Sequence, residues 1–102
     1  MLAPQPNVTV RLKFMGDLPT VIGQRSLQLE MPAGNTVRDV LASLSNTYGE
    51  AFTVRVFSSP TKLHHYILVF VDGQDIKGRG GLDAQLGSGE VDIVMLPMFG
   101  GG

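Results

Sequence analysis

The stretch VDIVMLPMFGGG, Val91 to Gly102, ends in six residues whose types and order point to a chemistry. Pro97 has no N–H, so a ladder of strand hydrogen bonds should weaken there and release the chain from its sheet. Met98 and Phe99 are large and apolar and suit a partner's groove better than water. Gly100, Gly101 and Gly102 carry no Cβ, so they can run extended through a channel too narrow for side chains and let the backbone approach a reactive centre. The group offered at the tip is a carboxylate, a poor acyl donor until activated, usually by adenylation with ATP. Three glycines alone fit a frayed terminus as well. A strand, a proline and two apolar residues directly before them favour a working arm.

Other residues offer less. His64 and His65 are adjacent, so on a strand they would point to opposite faces and could not share a metal. Asp72 and Asp75 flank a turn, and turn chemistry explains Asp72 better than catalysis does. The segment GQDIKGRGG lacks the Gly-Lys-Ser/Thr core of a phosphate-binding loop. Arg11, Lys13, Arg55, Lys62, Lys77 and Arg79 are scattered cations that could meet a partner. No Ser/His/Asp spacing stands out, and no catalytic residue is assigned. The absence of cysteine removes thiol nucleophiles, thiolate metal sites and disulfides.

The elements that must position the arm follow from periodicity. In VTVRLKF, Val8, Val10, Leu12 and Phe14 alternate with polar residues, which predicts a half-buried strand. After the turn-rich MGDLPTVIGQ, Leu27, Leu29 and Met31 repeat the alternation and predict a hairpin with a long loop. Val37, Val40, Leu41, Leu44 and Tyr48 then share one helical stripe, with Thr36 and Asp39 at its start and Gly49 at its end. FTVRVF reads as a short strand or an irregular connection, because Phe52, Val54 and Val56 alternate before SSP breaks the chain. Tyr66 to Val71 is an apolar strand reaching an Asp72-Gly73 hairpin turn. A glycine-rich loop with one helical turn around Leu82 and Leu86 leads to the last strand, VDIVMLP.

This order predicts an α+β fold: a ubiquitin-like β-grasp with a mixed four- to five-stranded sheet, one main helix on one face, and the last strand parallel to the first. A ferredoxin-like fold would want a second full helix, for which the glycine-rich loop is poorly suited. With 102 residues, 43% hydrophobic and 17% charged, the expectation is a single domain, 1–102, whose flexible tail spans 97–102. A net charge of −1 supplies no basic field for nucleic acid or for anionic membrane. MLAPQPN lacks the pattern of a signal peptide and no apolar run is long enough to span a bilayer, so a cytoplasmic location is expected.

Both parities of YILVFV and VDIVMLP are apolar, although one helix can cover only one sheet face. Some of Tyr66, Leu68, Phe70, Val94 and Leu96 should therefore form an uncovered partner-docking patch, unless MGDLPTVIGQ and FTVRVFSS fold across it.

The chain resembles the MoaD/ThiS family of ubiquitin-like sulfur carriers. The specific resemblance lies in KLHHYILVFVDGQDI and in GLDAQLGSGEVDIVMLPMFGGG, where Gly89-Glu90, the strand Val91 to Leu96, Pro97 and Gly101-Gly102 occupy the family's places without gaps. SSPTKLHHY, VDGQDI and GGLDAQL look more like the family's cysteine-synthesis branch than like a molybdopterin synthase small subunit. The resemblance implies that an activating enzyme adenylates Gly102 with ATP and that a sulfur donor turns the acyl-adenylate into a thiocarboxylate. The recipient would be a cysteine synthase-like pyridoxal-phosphate enzyme or a molybdopterin synthase large subunit. The chain would bind no cofactor and act as co-substrate rather than enzyme, with His64 structural or partner-contacting. Two other readings stay open: a ubiquitin-like modifier joined to a lysine through its diglycine, and an interaction module with an inert tail.

Overall fold

The computed structural model describes residues 7–98, so Phe99, Gly100, Gly101 and Gly102 lie outside the described residues. Strand β1 (Asn7–Phe14) buries Val8, Val10, Leu12 and Phe14 and turns Thr9, Arg11 and Lys13 the other way. β2 (Ser26–Pro32) pairs with it antiparallel, Val10 opposite Leu29. The long loop between them contains a short helix, α1 (Leu18–Ile22), whose i and i+4 residues Leu18 and Ile22 are buried.

Helix α2 (Val37–Tyr48) buries Val37, Val40, Leu41 and Leu44 on one stripe. Its first turn is secured by Asp39, whose carboxylate accepts the Thr36 backbone N–H at 2.8 Å and the Thr36 hydroxyl at 3.1 Å. At the far end the Gly49 N–H donates to the Ser45 carbonyl at 2.8 Å, with Gly49 at φ 73°.

FTVRVF is not a strand. It lies mostly in helix α3 (Glu50–Val56), directly after Gly49. Residues alternating at 52, 54 and 56 include an i, i+4 pair, and the core takes that pair: Phe52 and Val56 are fully buried while Val54 is 68% exposed. A strand would have put all three on one face. Tertiary burial of Phe52, worth about 2–3 kcal/mol, outweighs the local β preference of the segment. The chain turns extended only at β3 (Phe57–Ser59), which forms a small antiparallel ribbon with β4 (Lys62–Leu63) around Pro60 and Thr61.

β5 (Ile67–Val71) meets β6 (Gln74–Asp75) through Asp72 at φ 48° and Gly73 at φ 82°, the positive pair that a two-residue hairpin turn requires. The glycine-rich loop holds two 3-10 turns, Ile76–Arg79 and Gly81–Asp83, rather than one. Leu82 lies in the second and Leu86 beyond it, both buried.

β7 (Gly89–Pro97) runs parallel to β1 and antiparallel to β5, completing a sheet of order β2-β1-β7-β5-β6. The inward residues of the sheet form one cluster with Leu18 and Ile22 of α1, the α2 stripe, and Phe52 and Val56 of α3. All three helices therefore lie over the same face. An antiparallel hairpin, a helical crossover and a central parallel pair make a ubiquitin-like β-grasp.

Candidate functional site

The open face of the sheet is built by strand alternation. On β5 the residues turned away from the helices are Leu68 and Phe70; on β7 they are Val94 and Leu96. Register brings them together as cross-strand pairs, Leu68 opposite Leu96 and Phe70 opposite Val94. All four are partly exposed. The loops that could have covered them instead contribute α1 and α3 to the opposite face. Tyr66 does not join the patch: it packs against the core cluster, stacked on His64 at 4.9 Å between ring centroids.

The patch leads to the root of the arm, where one expectation needs correcting. Pro97 does not release the chain from the sheet; it is the last residue of β7, buried and opposite Ile67. The Asp72 N–H donates to the Asp92 carbonyl at 2.8 Å, and the Met98 N–H donates to the Tyr66 carbonyl at 2.6 Å. Alternation between these two positions makes Ile67–Pro97 a pair that exchanges no hydrogen bonds, so the missing N–H costs the β5 ladder nothing. At Pro97, where the sequence predicts the start of the tail, the chain is still on the sheet, and the Met98 N–H is held there as well.

Pro97 fits against a glycine. A Cβ on Gly16 would lie 2.7 Å from Pro97 Cγ and 2.8 Å from Cδ, closer than atoms can approach, and Gly16 sits at φ 66°. Next to it, Asp17 is gripped by Arg55 of α3: Nη2 lies 2.6 and 2.8 Å from the two carboxylate oxygens and Nε 3.0 Å from one of them. Arg55 also donates from Nη1 to the Tyr66 hydroxyl at 3.3 Å. His64 and His65 lie in the turn before β5 rather than on a strand, and both rings touch Tyr66, one stacked and the other edge-on. His64 Nε2 donates to the Val54 carbonyl at 3.0 Å.

Among the described residues the strongly exposed large hydrophobics are Met15, Val54 and Met98, at 47%, 68% and 56%. Hydrogen bonds link all three to this end of the sheet: Met15 N–H to the Met95 carbonyl, Met98 N–H to the Tyr66 carbonyl, and the Val54 carbonyl to His64. Sequence spacing could not reveal Met15, Gly16 and Asp17 as neighbours of the arm, because only the parallel pairing of β1 with β7 brings them there.

The ThiS family model matches residues 12–102, from the middle of β1 to the last glycine. The chain belongs to the ThiS family. It is 30% identical to the sulfur carrier protein CysO of Mycobacterium bovis, over 94% of this chain and 99% of that protein. The solution structure of small archaeal modifier protein 1 from Methanosarcina acetivorans is similar at 26% identity and a TM-score of 0.75, covering 94% of this chain and 98% of that one. A chain of the Amycolatopsis orientalis BexX/CysO complex is similar at 26% identity and a TM-score of 0.75, covering 91% and 99%. The ThiS-family match includes every residue named for the arm and the patch. No helix among the described residues is long and apolar enough to cross a membrane.

Proposed function

We propose that this ThiS-family chain is a sulfur carrier that works through the Gly102 carboxyl group and acts as co-substrate of its partner enzymes. The carboxylate attacks the α-phosphorus of ATP on an activating enzyme, giving an acyl-adenylate and releasing pyrophosphate. A sulfur nucleophile then adds to the acyl carbon and AMP leaves. Hydrosulfide gives the thiocarboxylate directly; a persulfide donor gives an acyl disulfide, from which a second thiol takes the donor's sulfur as a disulfide and leaves the thiocarboxylate. The observation that carries this reading is the family match running through to Gly102, in a fold whose β7 leads straight into the arm. Leu68, Phe70, Val94 and Leu96 are the docking surface for the activating enzyme and the sulfur acceptor, with Met98 and Phe99 in the partner's groove and Gly100 and Gly101 crossing its channel. ATP belongs to the activating enzyme.

The relation to CysO favours a cysteine synthase-like acceptor over a molybdopterin synthase large subunit. Likeness to a small archaeal modifier supports a second reading, in which the activated Gly102 forms an isopeptide bond with a lysine of a target. Intact-mass measurement of the protein from its native cells separates the two. Sulfur replacing one terminal oxygen supports the carrier, and lysine-linked conjugates support the modifier. Removal of Gly101 and Gly102 is expected to abolish adenylation with an unchanged fold; a shortened chain adenylated at the normal rate refutes both.

A further inference from the structure

We infer that Gly16, Asp17, Arg55 and Tyr66 form a bracket that fixes where the arm leaves the domain, making them positioning residues for chemistry at Gly102; this rests on the carrier reading above. One jaw is Gly16, whose bare Cα admits the Pro97 ring. The other is the Tyr66 carbonyl, which holds the Met98 N–H at 2.6 Å. The jaws come from different segments, the turn after β1 and the turn before β5.

Arg55 straps them together. Its guanidinium takes Asp17, the residue after Gly16, through both carboxylate oxygens. On the other side it donates to the Tyr66 hydroxyl and lies 5.4 Å from the centre of that ring. His64 supports Tyr66 by stacking and is itself tied to α3, its N–H on the Val56 carbonyl at 2.9 Å. The Arg55 side chain is only 20% exposed, so this forked pair is screened less than an open surface ion pair and is directional as well.

The consequence for the chemistry is geometric. Gly102 lies four residue steps beyond Met98, and an extended chain covers about 3.5 Å per residue, so a fixed Met98 keeps the acyl carbon within about 14 Å of one point. Moving the last fixed point from Met98 back to Leu96 lengthens the span to Gly102 from four residue steps to six, which dilutes the tip roughly twofold. Re-ordering two further residues on a partner adds to that loss.

The test uses Asp17→Asn, Arg55→Met and the exchanged pair Asp17→Arg with Arg55→Asp. Amide hydrogen exchange is followed at Met98 and, as the reference, at Phe70, whose pairing with Val94 falls on the hydrogen-bonded phase of the β5–β7 ladder. In each single variant Met98 is expected to exchange roughly tenfold faster, with Phe70 unchanged because the opening is local. The exchanged pair should recover part of the protection, which a general loss of packing would not. In native cells the fraction of chain carrying sulfur should fall roughly twofold or more in the single variants. Unchanged exchange at Met98 in both single variants overturns the bracket, as does acceleration at Phe70 in step with Met98. A wild-type chain that never gains sulfur refutes the carrier reading alone, and the exchange comparison still decides the bracket.

Discussion

Along the open face of β7, Glu90 and Asp92 are charged and both meet Arg11 of β1, at 2.8 and 3.1 Å. Val94 and Leu96, next on the same face of the same strand, are apolar and meet Phe70 and Leu68. The first half of the strand satisfies itself within the chain, through ion pairs exposed enough for water and salt to weaken them. The second half leaves apolar surface partly in water, which does not stabilise the isolated domain. That half is also the one that runs into Pro97 and Met98. Exposed apolar area at this end of the strand fits the docking role proposed above for a partner that handles the chain's C-terminus.

If this contrast is right, mutations should separate stability from sulfur loading. Phe52→Ala, on the covered face, is expected to lower unfolding free energy by about 3–5 kcal/mol, measured in urea, because a fully buried ring leaves a cavity. Leu96→Asp should cost much less stability and yet weaken binding to a purified activating enzyme by about 2 kcal/mol or more, roughly thirtyfold in Kd by calorimetry, as expected for a central contact. A Leu96→Asp chain that binds normally would break the comparison. Gly16→Ala should cost about 1–3 kcal/mol of stability, since the new methyl group collides with Pro97 and neither backbone can easily move; thermal unfolding measures it. The smallest effect belongs to the polar half. Arg11→Ala is expected to change stability by less than about 1 kcal/mol and to leave loading, read by intact mass, unaltered. A large loading defect there would extend the docking surface across the whole strand.

Legibility in the sequence followed the strength of local patterning. The alternation of Val8, Val10, Leu12 and Phe14 admits one reading, and the α2 stripe between Thr36 and Gly49 admits one as well; both stand as read. The Asp72-Gly73 turn was equally plain, because few residues other than glycine accept a positive φ and aspartate is among those that tolerate it. FTVRVF was not legible, since three apolar residues at alternate positions satisfy a strand and also contain a helical pair. Which pattern is used depends on whether the core needs two residues or three. Pro97 misled for a related reason: the lost donor is a local fact, but whether that donor was needed depends on the phase of a ladder formed with a distant strand.

The four patch residues were nameable from sequence because a strand apolar on both parities declares that one face lacks the usual polar cover. Arg55 could be named only as one cation among several. Nothing in its neighbours indicates Asp17 or Tyr66, which reach it through packing of α3 against the end of the sheet.

By itself, then, the sequence determined the long strands, the main helix, the apolar open face and the Asp72-Gly73 turn. Each depends on side-chain periodicity or on what one residue type permits, and both act over a few neighbouring positions. Only the tertiary structure decided that α3 is a helix, that Pro97 stays paired in β7, and that Gly16 and Tyr66 meet Pro97 and Met98 while Arg55 joins Asp17 to Tyr66. Those outcomes depend on the parallel pairing of β1 with β7 and on competition for core volume, which join residues distant along the chain and leave no signature in the spacing of any one segment.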